Sequence, residues 1–126
     1  MRLLLDTVIL IWAVDSPERL TRRATAAIEA PDNILEVSAV SLSEIAIKTA
    51  RGKLGVSAAS VRQALEELNI RVLPYTAEHA FFLFELPLHH PDPFDRQIIA
   101  QALAERMPVV TSDQSFRLYK ELKVIW

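Results

Sequence analysis

The chain is 126 residues long and 51% hydrophobic, enough for one compact domain over residues 1–126 and too short for two. It contains no cysteine, which excludes disulfides, zinc–thiolate sites and thiol nucleophiles, so any metal ion would have to be held by carboxylates, hydroxyls or histidine. With 14 Lys plus Arg against 16 Asp plus Glu the net charge is −2; no global positive field advertises nucleic acid, and phosphates would have to be met by local basic patches.

Leu3-Leu4-Leu5 is a short, wholly apolar run, which suits a strand buried on both faces. It is cut by Asp6, and no apolar stretch approaches the roughly 18 residues of a membrane span, so a soluble cytoplasmic protein without membrane association is expected. Thr7 to Val14 reads as a short helix. Ser16-Pro17 starts a second helix in the cap-then-proline manner, with Leu20, Ala24, Ala27 and Ile28 inward and Pro31 ending it. Ile34 to Val40 is the next strand. Ser41 and Glu44 then form a capping-box pattern opening a helix with Leu42, Ile45 and Thr49 inward, and Gly52 is placed to end it. A helix from Ser57 carries Val61, Leu65 and Leu68 at helical spacing and gives way to the strand Ile70-Arg71-Val72-Leu73, closed by Pro74. Thr76 opens the following helix, to about Glu85.

Asp92 to Arg106 reads as a loop that snaps into a helix. Pro91 and Pro93 fix φ in the approach, Asp92 is a good N-cap, Pro93 suits the first helical position and Asp95 falls in the first turn. Ile98, Ile99, Ala102 and Leu103 give this helix one apolar face. Beyond Pro108, Val109-Val110-Thr111 is a short strand, Asp113 to Tyr119 a turn of helix, and Lys123 to Trp126 a last strand. Strands alternating with helices imply an α/β fold, a three-layer α/β/α sandwich around a central parallel sheet of about five strands.

Four acids fall at equivalent places in that plan. Asp6 ends the first strand, Glu44 lies in the first turn of the helix after the second, Asp95 opens its helix, and Asp113 follows the Val109 to Thr111 strand. The carboxyl ends of parallel strands all face one edge, where ligands bind, so acids remote in sequence converge there. Two carboxylates about 4 Å apart repel by roughly 4 kcal/mol at an effective dielectric near 20. A divalent cation resolves that conflict. Hard oxygen donors without Cys or a clear His set point to Mg²⁺, with Mn²⁺ as a substitute, and an ion shared with phosphate oxygens implies phosphoryl transfer to water.

The ordered set Leu-Leu-Leu-Asp-Thr at 3–7, Ser-x-x-Glu at 41–44, Asp-Pro-Phe-Asp-Arg-x-Ile-Ile-Ala-x-Ala at 92–102 and Thr-Ser-Asp-x-x-Phe at 111–116 resembles the PIN-domain ribonucleases. More narrowly, it resembles the VapC-type toxins of bacterial and archaeal toxin–antitoxin pairs. The resemblance covers nearly the whole chain, and the block at 92–96 is its most specific part. It implies a Mg²⁺- or Mn²⁺-dependent endoribonuclease acting on single-stranded or loop RNA, a homodimer, and inhibition by a small antitoxin. Carried over residue by residue, the metal-binding and catalytic acids fall on Asp6, Glu44, Asp95 and Asp113, with Thr7 and Thr111 as nearby hydroxyls able to bind the metal or its waters.

Each of these residues also has a purely structural reading. Asp6 can be a strand-end helix cap, Glu44 the partner of Ser41 in a capping box, Asp95 the partner of Asp92 in another, and Asp113 the start of a surface turn or an acid acting through water. Arg96 can hold a phosphate or form a salt bridge that orients a site carboxylate. His89 and His90 are adjacent and cannot easily bind one metal together, so they read as loop residues, with contact to substrate as the lesser alternative; His79 reads as structural. Lys48, Arg51 and Lys53 follow Glu44 along its helix, and a solvated helix face is the ordinary explanation for them. In Ala80-Phe81-Phe82-Leu83-Phe84, five apolar residues in a row cover more of a helix than one core-facing stripe buries, so part of that surface is expected to meet a second subunit or another protein. A haloacid-dehalogenase-like phosphatase would need an acid where Val8 stands, and a receiver domain a pair of acids at the end of the first strand. Two alternatives stay open: a non-catalytic interaction module of the same fold, and a housekeeping RNA-processing nuclease without an antitoxin.

Overall fold

The computed structural model describes Met1 to Trp126. Five short strands, β1 (Arg2–Leu5), β2 (Ile34–Ser38), β3 (Arg71–Leu73), β4 (Val109–Val110) and β5 (Val124–Ile125), form one parallel sheet in the order β3-β2-β1-β4-β5. Six helices connect them: α1 (Thr7–Asp15), α2 (Arg22–Glu29), α3 (Ala39–Ala50), α4 (Ala58–Glu67), α5 (Ala77–Phe82) and α6 (Pro93–Glu105). The pleat sorts the strand residues into two cores. Leu3 and Leu5 of β1 join Val110 and Ile125 against Ile9 and Leu10 of α1, Ala24 of α2 and Ile45 of α3, with Val61 and Leu65 of α4 packed beside them. Leu4 turns the other way and joins Val109 and Val124 against Ile98, Ile99 and Ala102 of α6 and Phe116. The central sheet is therefore covered on both faces, as the unbroken apolar character of Leu3-Leu4-Leu5 requires.

Local capping chemistry moves two element boundaries from their expected places. Ser16-Pro17 opens only a 3-10 turn (Pro17–Arg19), and α2 starts at Arg22 because Thr21 Oγ1 accepts the Ala24 N–H at 3.1 Å. The second strand ends at Ser38 rather than Val40, because Ser38 Oγ accepts the Val40 N–H at 3.0 Å and starts α3 at Ala39. This corrects the capping-box reading of Ser41 and Glu44 and the placement of Glu44 in a first turn. Both residues lie inside α3, and neither side chain is tied to the helix end. Helices α4, α5 and α6 start where expected, capped by Ser57, Thr76 and Asp92, with Pro93 at the first position of α6.

Candidate metal centre

From β1 the chain order runs outward in both directions, through β2 to β3 on one side and through β4 to β5 on the other. The crevice of such a sheet opens at this switch point, beyond the carboxyl ends of β1 and β4. Asp6 leaves β1 there with its N–H on Val110 O at 3.0 Å, and Thr111 leaves β4 beside it.

The acids are joined by a continuous run of polar contacts. Asp6 caps α1: Oδ1 accepts the Thr7 N–H at 2.8 Å, and Oδ2 accepts the Thr111 hydroxyl at 2.7 Å. Thr7 Oγ1 donates to Glu44 Oε1 at 2.7 Å and lies 2.8 Å from Ser41 Oγ. Thr111 Oγ1 in turn accepts the Asp113 N–H at 3.1 Å. Asp113 Oδ2 lies 2.9 Å from His90 Nε2, and the same nitrogen lies 3.1 Å from Asp95 Oδ2. The order is Glu44, Thr7, Asp6, Thr111, Asp113, His90, Asp95, so one run of contacts links all four sequence-predicted acids and both predicted hydroxyls, but the group of possible ligand atoms that lie within 4.8 Å of one another is His90, Asp95 and Asp113, and Asp6 and Glu44 join it only through Thr111 and Thr7. The cap role of Asp6 coexists with its place in this cluster. Asp113 likewise caps a 3-10 turn (Gln114–Leu118) through Oδ1, which accepts from Ser115 N and Oγ at 2.9 and 2.6 Å, and keeps Oδ2 for His90.

The capping-box alternative for Asp95 is not realised. Asp92 Oδ1 accepts the N–H groups of Phe94 and Asp95 at 2.9 and 3.0 Å, while the N–H of Asp92 donates to His90 Nδ1 at 3.2 Å instead of to Asp95. The Asp95 carboxylate is thereby left to the crevice. Arg96 does not form the expected salt bridge to a site carboxylate: Nη1 donates to Pro87 O at 3.0 Å and Nη2 to Leu86 O at 3.3 Å, so the guanidinium pins the loop before α6. His90 is the residue that sequence reasoning missed. Its neighbour His89 packs edge-on against Tyr119 at 5.0 Å, so only one histidine of the pair faces the acids, and its place two residues before the Asp92 cap was the available signal. His79 is structural as expected, buried with Nε2 2.9 Å from Glu105.

Burial and like charge dominate the electrostatics. The Asp6 carboxyl is pushed up to about 6 by burial, helped by the charges of Glu44 and Asp113 and opposed by the hydrogen bonds from Thr111 and Thr7. Asp95 is pushed up to about 7 by burial and then by the charges of Asp6 and Asp92. For Asp113 burial also pushes upward, but hydrogen bonds from Ser115 and His90 outweigh it and hold the carboxyl below its usual range. One cation borders the group: Lys48 Nζ, one turn along α3, lies 2.5 Å from Glu44 Oε2. A set of hard carboxylate oxygens fixed on strand and helix ends has the donor chemistry for a small divalent cation such as Mg²⁺.

A family model for the PIN domain matches residues 3–122. Ribonuclease VapC22 from Mycobacterium tuberculosis (strain ATCC 25618 / H37Rv) is 34% identical over 120 residues, spanning 93% of this chain and 91% of that protein. Among solved structures, VapBC2 from Rickettsia felis, bound to a DNA fragment from its promoter, is similar with a TM-score of 0.73 at 18% identity, over 98% of this chain and 97% of that one. VapBC-5 from Mycobacterium tuberculosis, a member of the VapBC family of toxin-antitoxin systems, is similar with a TM-score of 0.63 at 20% identity, again over 98% and 97%. At these identities the structural matches speak to the fold.

Proposed function

The chain belongs to the PIN-domain family, and from that premise we propose that it is a Mg²⁺- or Mn²⁺-dependent endoribonuclease cleaving single-stranded or loop RNA, acting in the cytoplasm as the toxin of a toxin–antitoxin pair. The observation that carries this reading is the unbroken run of contacts joining Glu44, Asp6, Asp113 and Asp95 at the mouth of the sheet. The reaction is further supported by the ribonuclease name of the 34% identical relative, and the antitoxin by the toxin-antitoxin system to which VapBC-5 belongs.

On the family pattern Asp6, Glu44 and Asp95 would hold the ion, with Asp113 beside them directly or through water; of these acids, Asp95 and Asp113 already present oxygens within 4.8 Å of each other. When bound, the ion would supply charge stabilisation at the phosphodiester and would acidify the water needed for its hydrolysis. The rest is preorganisation by the chain. Thr111 and the Thr7 N–H fix both oxygens of Asp6, and Thr7 with Lys48 fixes those of Glu44, so the acids do not have to be ordered when substrate arrives. Lys48 also places a positive charge at the rim, where an RNA phosphate can be met, so RNA affinity falls with added salt.

Two apolar surfaces serve the partners. Phe81 and Phe84 are 65% and 85% exposed and stack on each other with centroids 6.1 Å apart, while Phe82 and Leu83 turn into the core. This patch is assigned to a homodimer. A groove of about 590 Å³ between α3 and α4, lined by Leu42, Ile45, Ala46, Val61 and Leu65, is left for the antitoxin. No helix is long and apolar enough to cross a membrane.

The decisive comparison is RNA cleavage in Mg²⁺ by the natural protein and by Asp6→Asn. Losing an outer partner of a metal ligand costs about 10- to 100-fold, and losing a ligand costs more. The variant should therefore fold and lose at least about 100-fold in cleavage rate. Equal cleavage by the two proteins would refute the assignment.

A further inference from the structure

His90 is nearly buried, and its ring is fixed by contacts that do not involve the acids. Its N–H donates to Tyr119 Oη at 3.0 Å, its ring stands edge-on to Phe116 with centroids 5.7 Å apart, and Nδ1 accepts the Asp92 N–H at 3.2 Å. The loop that carries it is pinned as well, because Tyr119 Oη donates to Pro87 O at 2.9 Å and Arg96 bonds the carbonyls of Leu86 and Pro87. The imidazole is thus delivered to a set place by the protein, and from there Nε2 meets Asp113 Oδ2 and Asp95 Oδ2 at 2.9 and 3.1 Å.

The contact at Nδ1 decides the chemistry. A nitrogen that accepts an N–H carries no hydrogen of its own, so in the neutral ring the hydrogen is on Nε2, pointing at the carboxylates. We propose that His90 is a positioning residue for cation binding: an Nε2–H donor that holds Asp113 and spaces it from Asp95, and not itself a metal ligand. The proposal rests on the nuclease reading above. Nε2, Asp95 and Asp113 are close enough together for a three-ligand site of mixed nitrogen and oxygen. Such a site would require the ring hydrogen to move to Nδ1, against the Asp92 N–H, leaving that N–H at the start of α6 without an acceptor.

The side chains of Asn and Gln separate these roles by reach. An Asn amide occupies the place of Nδ1 and can keep the Asp92 contact; a Gln amide reaches the place of Nε2 and can donate to the carboxylates. Mn²⁺ and Mg²⁺ binding to the RNA-free protein is measured by calorimetry for the natural chain, His90→Asn, His90→Gln and Asp6→Asn, with thermal unfolding in chelator as the folding check. The expected result is that His90→Asn weakens both ions by one common factor, about 10- to 100-fold, while His90→Gln stays within a few-fold of the natural chain. Equal affinities of the Asn and Gln variants would overturn the proposal. So would a loss much larger for Mn²⁺ than for Mg²⁺, the mark of a direct nitrogen ligand. Should the natural chain bind neither ion, the nuclease reading itself fails; normal binding by the natural chain, abolished in Asp6→Asn, combined with an unaffected His90→Asn, sinks only the role of His90.

Discussion

Asp6 and Asp95 titrate far above the ordinary carboxylate value of 3.8, near 6 and 7, because each is buried among other acids. The sign of the consequence for stability follows from proton counting. Between about pH 4 and about pH 7 the folded chain keeps protons on these two groups that the unfolded chain has already lost, so stability falls as pH rises through that window. The melting temperature of the cation-free protein should therefore decline across it, and Asp95→Asn, which cannot ionise, should flatten the decline. Added Mg²⁺ should raise the melting temperature most at the alkaline end, where both carboxylates are charged, and little at the acid end. A calorimetric series over pH with and without Mg²⁺ checks all three. A natural chain that grows more stable with pH and ignores Mg²⁺ would contradict this account of the two acids.

The helices matter to the site through where they begin. Because Ser38 caps α3, the helix starts early enough to carry Ser41 and Glu44 inside it, where Glu44 meets Thr7 and Lys48 instead of bonding its own helix end. Ser38→Ala should cost about 1 kcal/mol of stability, typical for loss of such a cap, read from urea unfolding, and should also weaken divalent-ion binding because α3 aims Glu44. Replacement of the expected cap, Ser41, would remove its contact with Thr7 while leaving the start of α3 intact. At α6 the same logic acts on Asp95. Asp92 satisfies the first-turn N–H groups, and its own N–H is taken by His90, so the carboxylate one turn inward stays available.

The whole molecule is organised by the reversal of strand order at β1 and β4, which opens the crevice where Asp6 and Thr111 emerge side by side. Two layers of helices cover the faces of the sheet, but the outer side of α5 and the turn after it leaves Phe81 and Phe84 in water. If this patch forms the proposed dimer, replacing both by Ser should shift the protein from dimer to monomer in light scattering while changing the stability of one subunit by no more than about 0.5 kcal/mol, since exposed side chains of this kind contribute little to its fold. A dimer mass unchanged by the substitutions would place the subunit interface elsewhere, and a natural chain with the mass of a monomer would refute the dimer.

Sequence alone determined the parallel α/β plan and the edge on which the four acids gather, since apolar runs, caps and prolines act within a few residues of themselves and strand direction then places every carboxyl end on one side. What only the tertiary structure decided is how those acids are held. Thr111 meets Asp6 from 105 positions away, His90 meets Asp113 from 23, and Arg96 turns from the acids to loop carbonyls. Such contacts form between loops and strand ends that carry no periodicity, so no local pattern encodes them; they exist because packing brings those ends together at the switch point of the sheet.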